Sequence, residues 1–215
     1  MFSVHMQSTH TQLPVGAAVR ALTMHADDRG VFTEVFRREW PTGVDPIQWN
    51  IVRSEPGVLR GVHVHVRHAD YLLIVNGRAT VGLRDLRTAS PTFGLTTMLD
   101  LDASRLEALT IPPGVAHGFC FPVAAAHLYS VSHYWDTTDE LGCCWHDAGL
   151  EMTWPVDEPH VSPRDRDAHP LAKLMRELEP HQAAFARQFN APGASALDAE
   201  PKPAPKPINA STITP

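Results

Sequence analysis

The chain has 215 residues, 43% of them hydrophobic and 20% charged, which is enough for one ordinary domain with a sizeable core and a peripheral extension. Lys and Arg number 18 against 24 Asp and Glu, and the formal net charge of −6 argues against a nucleic-acid groove, which needs a basic stripe. The cysteines, Cys120, Cys143 and Cys144, form an odd set with one adjacent pair, which excludes a disulfide framework and points to a reducing compartment.

In chain order, the first segment, MFSVHMQSTHTQLPVG, lacks the basic region and apolar block of a secretory signal. No run approaches the ~18 apolar residues of a membrane helix. The expectation is a cytoplasmic protein with no membrane partner. Short apolar or alternating runs then predict strands at Val31–Phe36, Ile47–Val52, Tyr71–Val75, Ala79–Leu83, Leu106–Ile111 and His127–Tyr134. Gly30, Gly43, Gly57, Gly77, Gly94 and Gly114 punctuate them, the pattern of an all-β sandwich or barrel. Leu171, Leu174, Met175 and Leu178 then sit at i, i+3, i+4 and i+7, predicting an amphipathic helix that Pro180 stops, with Phe185 and Phe189 marking a further turn or two. From Ala191 to Pro215 the composition of Ala, Pro, Lys, Ser and Thr predicts a mobile tail without a catalytic role. The expected organisation is a barrel domain over residues 1–180, a peripheral helical segment over 181–190 and a tail over 191–215.

The densest chemistry lies in GVLRGVHVHVRHADYLLIVNG, from Gly57 to Gly77, and in IPPGVAHGF, from Ile111 to Phe119. On a strand, i and i+2 face the same way, so His63 and His65 point together. His117, after the turn that Pro113 and Gly114 favour, is placed to meet them from a neighbouring strand. The HxH pair followed by Asp70 and Gly77 resembles the first cupin motif, with Asp where Glu is usual. Pro112-x-Gly114-x-x-His117 resembles the second. This resemblance implies a cupin-type double-stranded β-helix, a jelly-roll barrel, with a short C-terminal helical segment. Cupins often hold a divalent metal on three imidazoles and a carboxylate, a donor set suited to Fe, Mn, Ni or Zn. Here it would be His63, His65, Asp70 and His117. Against this, a chain with 13 histidines places some pairs by chance.

More of the chain is similar to the dTDP-4-dehydrorhamnose 3,5-epimerase family of nucleotide-sugar enzymes. The matching pieces run in order: DDRGVFTEVF from Asp27, Gln48-Trp49-Asn50, VLRGVH from Val58, DLRTASPTFG from Asp85, IPPGVAHGF, LYSVSHYW from Leu128, WHDAGLEMTWP from Trp145 and VSPRD from Val161. No single motif carries the likeness, which rests on all of them in order, and it implies epimerisation or isomerisation of a nucleotide-linked 4-keto-6-deoxy sugar by removal of protons alpha to the ketone. It implies His63 as base, Asp165 as the carboxylate orienting it, and Tyr129 as the acid on the opposite face. Arg29, Gln48, Asn50, Arg60 and His117 would hold the nucleotide diphosphate and sugar, with Tyr134 packing beside the nucleotide. It further implies a dTDP-linked substrate, a homodimer, no organic cofactor, and products for surface polysaccharides or natural products. Simpler local readings exist for several of these: a surface ion pair for Arg60, a core aromatic for Tyr129 and a helix N-cap for Asp165.

Two positions depart from the family. Its members carry a lysine, thought to stabilise the developing enolate, where this chain has Asp70, and there is no Lys before Lys173. Losing one oxyanion donor typically costs ~2.7–4 kcal/mol. His65 stands where an amide is usual. Three readings follow: an epimerase with Arg60 or a water in the lysine's role, an enzyme with one divalent metal on His63, His65, Asp70 and His117, or a binding protein without turnover. In the second, a ligated His63 is lost as a free base.

Overall fold

The computed structural model describes residues 12–134, 136 and 139–190, so the expectation of a mobile tail over 191–215 lies outside the described residues. Among the described residues twelve strands occur in chain order: β1 (Ala18–Ala21), β2 (Met24–Asp27), β3 (Gly30–Thr33), β4 (Gln48–Ser54), β5 (Val58–His65), β6 (Asp70–Asn76), β7 (Arg78–Asp85), β8 (Thr96–Asp102), β9 (Glu107–Ile111), β10 (Val115–Phe121), β11 (Ala125–Val131) and β12 (Glu140–Gly142). Helices follow at α1 (Pro163–Arg166), α2 (Leu171–Leu178) and α3 (Gln182–Asn190).

The strands form two five-stranded antiparallel sheets, β1-β9-β6-β11-β4 and β12-β5-β10-β7-β8, with β2 and β3 as a separate hairpin. From β4 to β7 and again from β8 to β12, successive strands alternate between the sheets, which is jelly-roll connectivity. That winding brings His63 opposite His117 in register although they are distant in sequence.

Alternation along each strand divides inside from outside. Leu72 and Ile74 of β6, Val81 and Leu83 of β7, and Val115 and Phe121 of β10 are buried between the sheets. The opposite parity of β5, Val62 and Val64, faces outward and is buried beneath Leu174 and Leu178 of α2 and Phe185 of α3. Burying each such side chain stabilises by ~1.5–3 kcal/mol, so the helices are a cover for the sheet. The amphipathic spacing of Leu171 to Leu178 forms α2, and a 3-10 turn at Glu179–His181 carries the chain past Pro180 into α3. Among the described residues no helix is long and apolar enough to cross a membrane.

One irregularity aims the site. The register of β5 against β10 shifts between His63↔His117 and Arg60↔Phe119, leaving Gly61 and Val62 opposite Gly118. In an unbroken strand Arg60 would share the outward parity of Val62. The bulge turns it to the same side as His63. Gly61 has φ of 122°, and a Cβ there would lie 2.8 Å from both Gly118 Cα and His117 O, so only glycine lets the strands approach this closely.

Candidate active site

One end of the space between the sheets is apolar. The other opens into a cavity of about 240 Å³ lined by charged and aromatic side chains from five strands and α1. Inward-facing positions supply them: His63 and His65 from β5, Asp70 and Leu72 from β6, His117 and Phe119 from β10, His127, Tyr129 and Val131 from β11.

Asp165 arrives from far along the chain. His160 bridges Val58 in parallel, its N–H donating to Gly57 O at 2.8 Å and its O accepting from Leu59 N at 3.0 Å, which lays the following segment along β5. Ser162 then caps α1, its hydroxyl accepting from Asp165 N at 3.1 Å, with Pro163 in the first turn. The cap is therefore Ser162, and the Asp165 carboxylate is released to reach His63 Nε2 at 2.7 Å. Burial would raise Asp165, but the hydrogen bonds from His63, Ser162 and the Gly61 amide outweigh it and hold the carboxyl below its ordinary value. As an ionised acceptor, Asp165 accepts the hydrogen bond from Nε2–H, which leaves Nδ1 as the ring nitrogen turned away from it.

Nδ1 lies 3.2 Å from Glu140 Oε1, whose other oxygen is 2.9 Å from Arg164 Nη1. Both residues line the cavity. Glu140 is on β12, which Gly142 lets approach β5 closely: a Cβ there would lie 2.6 Å from Val62 O. The sequence carried no periodic signal for this three-residue strand, and Glu140 and Arg164 were not anticipated as site residues.

A second cluster stands beside this pair. His65, Asp70 and His117 each offer a ligand atom, and those atoms lie within 4.8 Å of one another. Asp70 Oδ2 is 3.4 Å from His65 Nε2 and 3.8 Å from His117 Nε2, while Asp70 Oδ1 is 3.7 Å from His68 Nε2. His117 Nδ1 donates to Val115 O at 3.1 Å, which leaves its Nε2 as an acceptor. His68 Nδ1 bonds Asp139, whose carboxylate also accepts from the Val66 and Arg67 amides. Asp70 Oδ2 and His65 Nδ1 are buried and make no hydrogen bond. Burial, with Glu140 and Asp139 nearby, raises the Asp70 carboxyl well above its usual range. Burial likewise lowers His65 well below the ordinary imidazole value and His117 to about 4, with neighbouring histidines adding to both shifts. The cluster holds donors of electron pairs rather than free cations. His63 is outside this metal-capable group.

The remaining wall is aromatic. The His127 ring stacks on Phe121 at 5.5 Å and Phe119 at 5.9 Å. Burial, with Arg60 nearby, lowers His127 to about 4. Burial also raises the Tyr129 phenol, with Asp70 and Glu140 adding to the shift, so the hydroxyl keeps its proton. Arg60 is held at the rim by a hydrogen bond from Nε to Ser54 Oγ of 3.0 Å.

Of the residues expected to bind substrate, Arg60 and His117 line the cavity. Gln48 and Asn50 share the face of cavity-lining Val52 on β4 and bond each other at 2.9 Å, but stand outside the lining. Arg29 is on the β2–β3 hairpin, paired with Asp27 at 2.6 Å, and Tyr134 is 73% exposed; neither lines the cavity.

The family model described as dTDP-4-dehydrorhamnose 3,5-epimerase matches residues 11–173. The chain belongs to this family. A dTDP-4-dehydrorhamnose 3,5-epimerase of Pseudomonas aeruginosa is 37% identical over 158 residues, covering 68% of this chain and 86% of that one. Among solved structures, the rmlC epimerase of Mycobacterium tuberculosis superposes with a TM-score of 0.75 at 28% identity, covering 83% of this chain and 98% of that chain. NovW, a 4-keto-6-deoxy sugar epimerase from the novobiocin gene cluster of Streptomyces spheroides, gives 0.72 at 30% identity, covering 80% and 92%. The cupin-like jelly roll expected from the motifs is thus the fold of this chain, and family membership makes it a carbohydrate epimerase. Asp70, which the sequence resemblance sets against a family lysine, is flanked in this structure by His65 and His117.

Proposed function

We propose that the protein inverts a carbon next to the ketone of a dTDP-linked 4-keto-6-deoxy sugar, using His63 as base and Tyr129 as acid. The observation that carries this reading is the 2.7 Å His63–Asp165 bond inside a cavity that Tyr129 also lines. His63 Nδ1 removes the proton alpha to the ketone, and the electron pair of the broken C–H bond passes to the carbonyl oxygen as an enolate. Asp165 stabilises the imidazolium that results. The Tyr129 hydroxyl then gives a proton to the opposite face of the same carbon, which restores the ketone with inverted configuration. The proton on His63 leaves to solvent, and solvent returns one to Tyr129.

Glu140 lies on the Nδ1 side, so substrate has to displace it, with Arg164 available to keep the carboxylate paired. Arg60 and Arg164 supply the positive charge for a diphosphate, and His117 faces the sugar. Gln48 and Asn50 extend that binding face along β4. No redox carrier is needed, because a proton exchange beside a carbonyl changes no oxidation state.

The reading includes a homodimer. The β2–β3 hairpin exposes Val31 at 63% and Phe32 at 58%, and β4 exposes Ile51 at 54%, apolar surface that pairing of two copies would cover. Arg29 and Tyr134 would act on substrate in that assembly rather than from this cavity alone. Free Cys120, Cys143 and Cys144 support a cytoplasmic setting.

The test is solvent exchange. In D2O the protein is expected to place deuterium on a carbon alpha to the ketone of a dTDP-4-keto-6-deoxyhexose, and His63→Asn to abolish it. Binding of the sugar nucleotide without any exchange would refute the reading.

A further inference from the structure

We propose that His65, Asp70 and His117 hold one divalent transition-metal ion, beside the His63–Asp165 pair and not in place of it. Asp70 Oδ2 is buried without a hydrogen bond, yet the Nε2 atoms of His65 and His117 lie 3.4 and 3.8 Å from it. A buried carboxylate oxygen left unpaired costs ~1–3 kcal/mol or more, so a partner is required. Two donors each about 2.1 Å from one ion stand ~3.0 Å apart at a right angle and ~3.4 Å apart at the tetrahedral angle. The observed separations are near or slightly wider than this, close enough for small side-chain rotations to satisfy.

The surrounding bonds prepare the donors. His117 Nδ1 is committed to Val115 O, which fixes the tautomer with Nε2 free to ligate. His68, stacked on His65 with ring centroids 3.8 Å apart, is oriented through Nδ1 by Asp139 and turns Nε2 toward the other oxygen of Asp70. Two imidazoles and a carboxylate suit Fe, Mn, Co, Ni or Zn better than Mg or Ca. His63 is held by Asp165 and Glu140 instead. The base and the cation are therefore compatible, and the choice that the sequence motifs pose between them disappears.

For its chemical use this inference rests on the proposed function: a bound ion would supply positive charge near the developing enolate, where relatives are expected to use a lysine. The binding itself is independent of it. The probe is Co2+ added to chelator-treated, full-length protein, followed by visible d–d absorption, by metal analysis after desalting, and by thermal unfolding. One Co2+ per chain is expected, with a Tm rise of about 5–10 °C at a hundredfold excess over Kd. Asp70→Asn and His65→Gln should each weaken binding by about 100-fold or more, since they delete a direct ligand. Retention of Co2+ by His63→Asn is also expected.

Failure of the parent protein to bind Co2+ stoichiometrically would overturn the site, as would loss of binding in His63→Asn or tight binding surviving in both ligand variants. Deuterium exchange separates the two readings. Exchange by a protein that takes no metal would sink the cation and leave the epimerase, and stoichiometric metal without exchange on any keto-sugar nucleotide would do the reverse.

Discussion

Replacing Asp165 by Asn keeps the size of the side chain and removes its negative charge. The bond to His63 Nε2 is 2.7 Å, short enough for a charge-assisted contact worth about 1.5–3 kcal/mol. If the Asn amide presents its oxygen, Nε2 keeps its proton, Nδ1 stays basic, and only that stabilisation of the imidazolium is lost, or about 10- to 100-fold in rate. If the amide presents its N–H, the ring proton moves to Nδ1 and the lone pair that attacks carbon is gone. In the Ser-His-Asp template such a tautomer change costs about 10⁴, or about 5.5 kcal/mol. The expected loss therefore lies between about 10 and 10⁴ in the exchange rate, measured in single turnover by mass spectrometry of substrate in D2O. Stability is a built-in control, because the Ser162 cap accepts from the backbone amide of residue 165 and survives the change. Exchange within tenfold of the parent, in a folded variant, would refute the assignment of Asp165 as the group that orients the base.

Tyr129→Phe is expected to separate exchange from inversion: deuterium entry from the His63 side persists, while formation of the inverted sugar, read by NMR, falls about 10²–10⁴-fold. Gly61→Ala should destabilise by about 3 kcal/mol or more in urea, because its Cβ meets Gly118 Cα and His117 O at 2.8 Å with φ at 122°. His127 predicts an acid-sensitive core. Its pKa falls from 6.5 in the unfolded chain to about 4 in the fold, so the unfolded state binds the proton first and stability drops as pH falls through that window. At pH 5 the loss relative to pH 7 is about 2 kcal/mol. His127→Phe, which keeps a ring stacked against Phe119 and Phe121, should reduce the drop between urea midpoints at those two pH values. An unchanged drop would show that His127 is not its source.

The strands around the site were legible because alternation and glycine punctuation are local signals. The runs at Ile47–Val52, Tyr71–Val75, Ala79–Leu83 and Leu106–Ile111 correspond to β4, β6, β7 and β9, with ends displaced by a residue or two. The run from His127 predicted a strand to Tyr134, whereas β11 ends at Val131, and Val31–Phe36 shortens to Gly30–Thr33 in an exposed hairpin. Strands β1, β2 and β12 are three or four residues long and carried no periodic pattern of their own. They exist because a neighbouring strand supplies their hydrogen bonds, as β9 does for β1 and β5 for β12.

The same boundary between local and long-range information runs through the site. The spacing of His63 and His65 determined by itself that both rings share one face, and the ordered motifs determined the fold and the family. Only tertiary structure decided which histidine does what. Asp165 and Glu140 reach His63 from distant segments, and they take it out of the group formed by His65, Asp70 and His117. The bulge at Gly61 likewise turns Arg60 against its sequence parity. Alternation is a property of one strand, whereas hydrogen-bond partners and register are properties of neighbours that the winding of the barrel brings together.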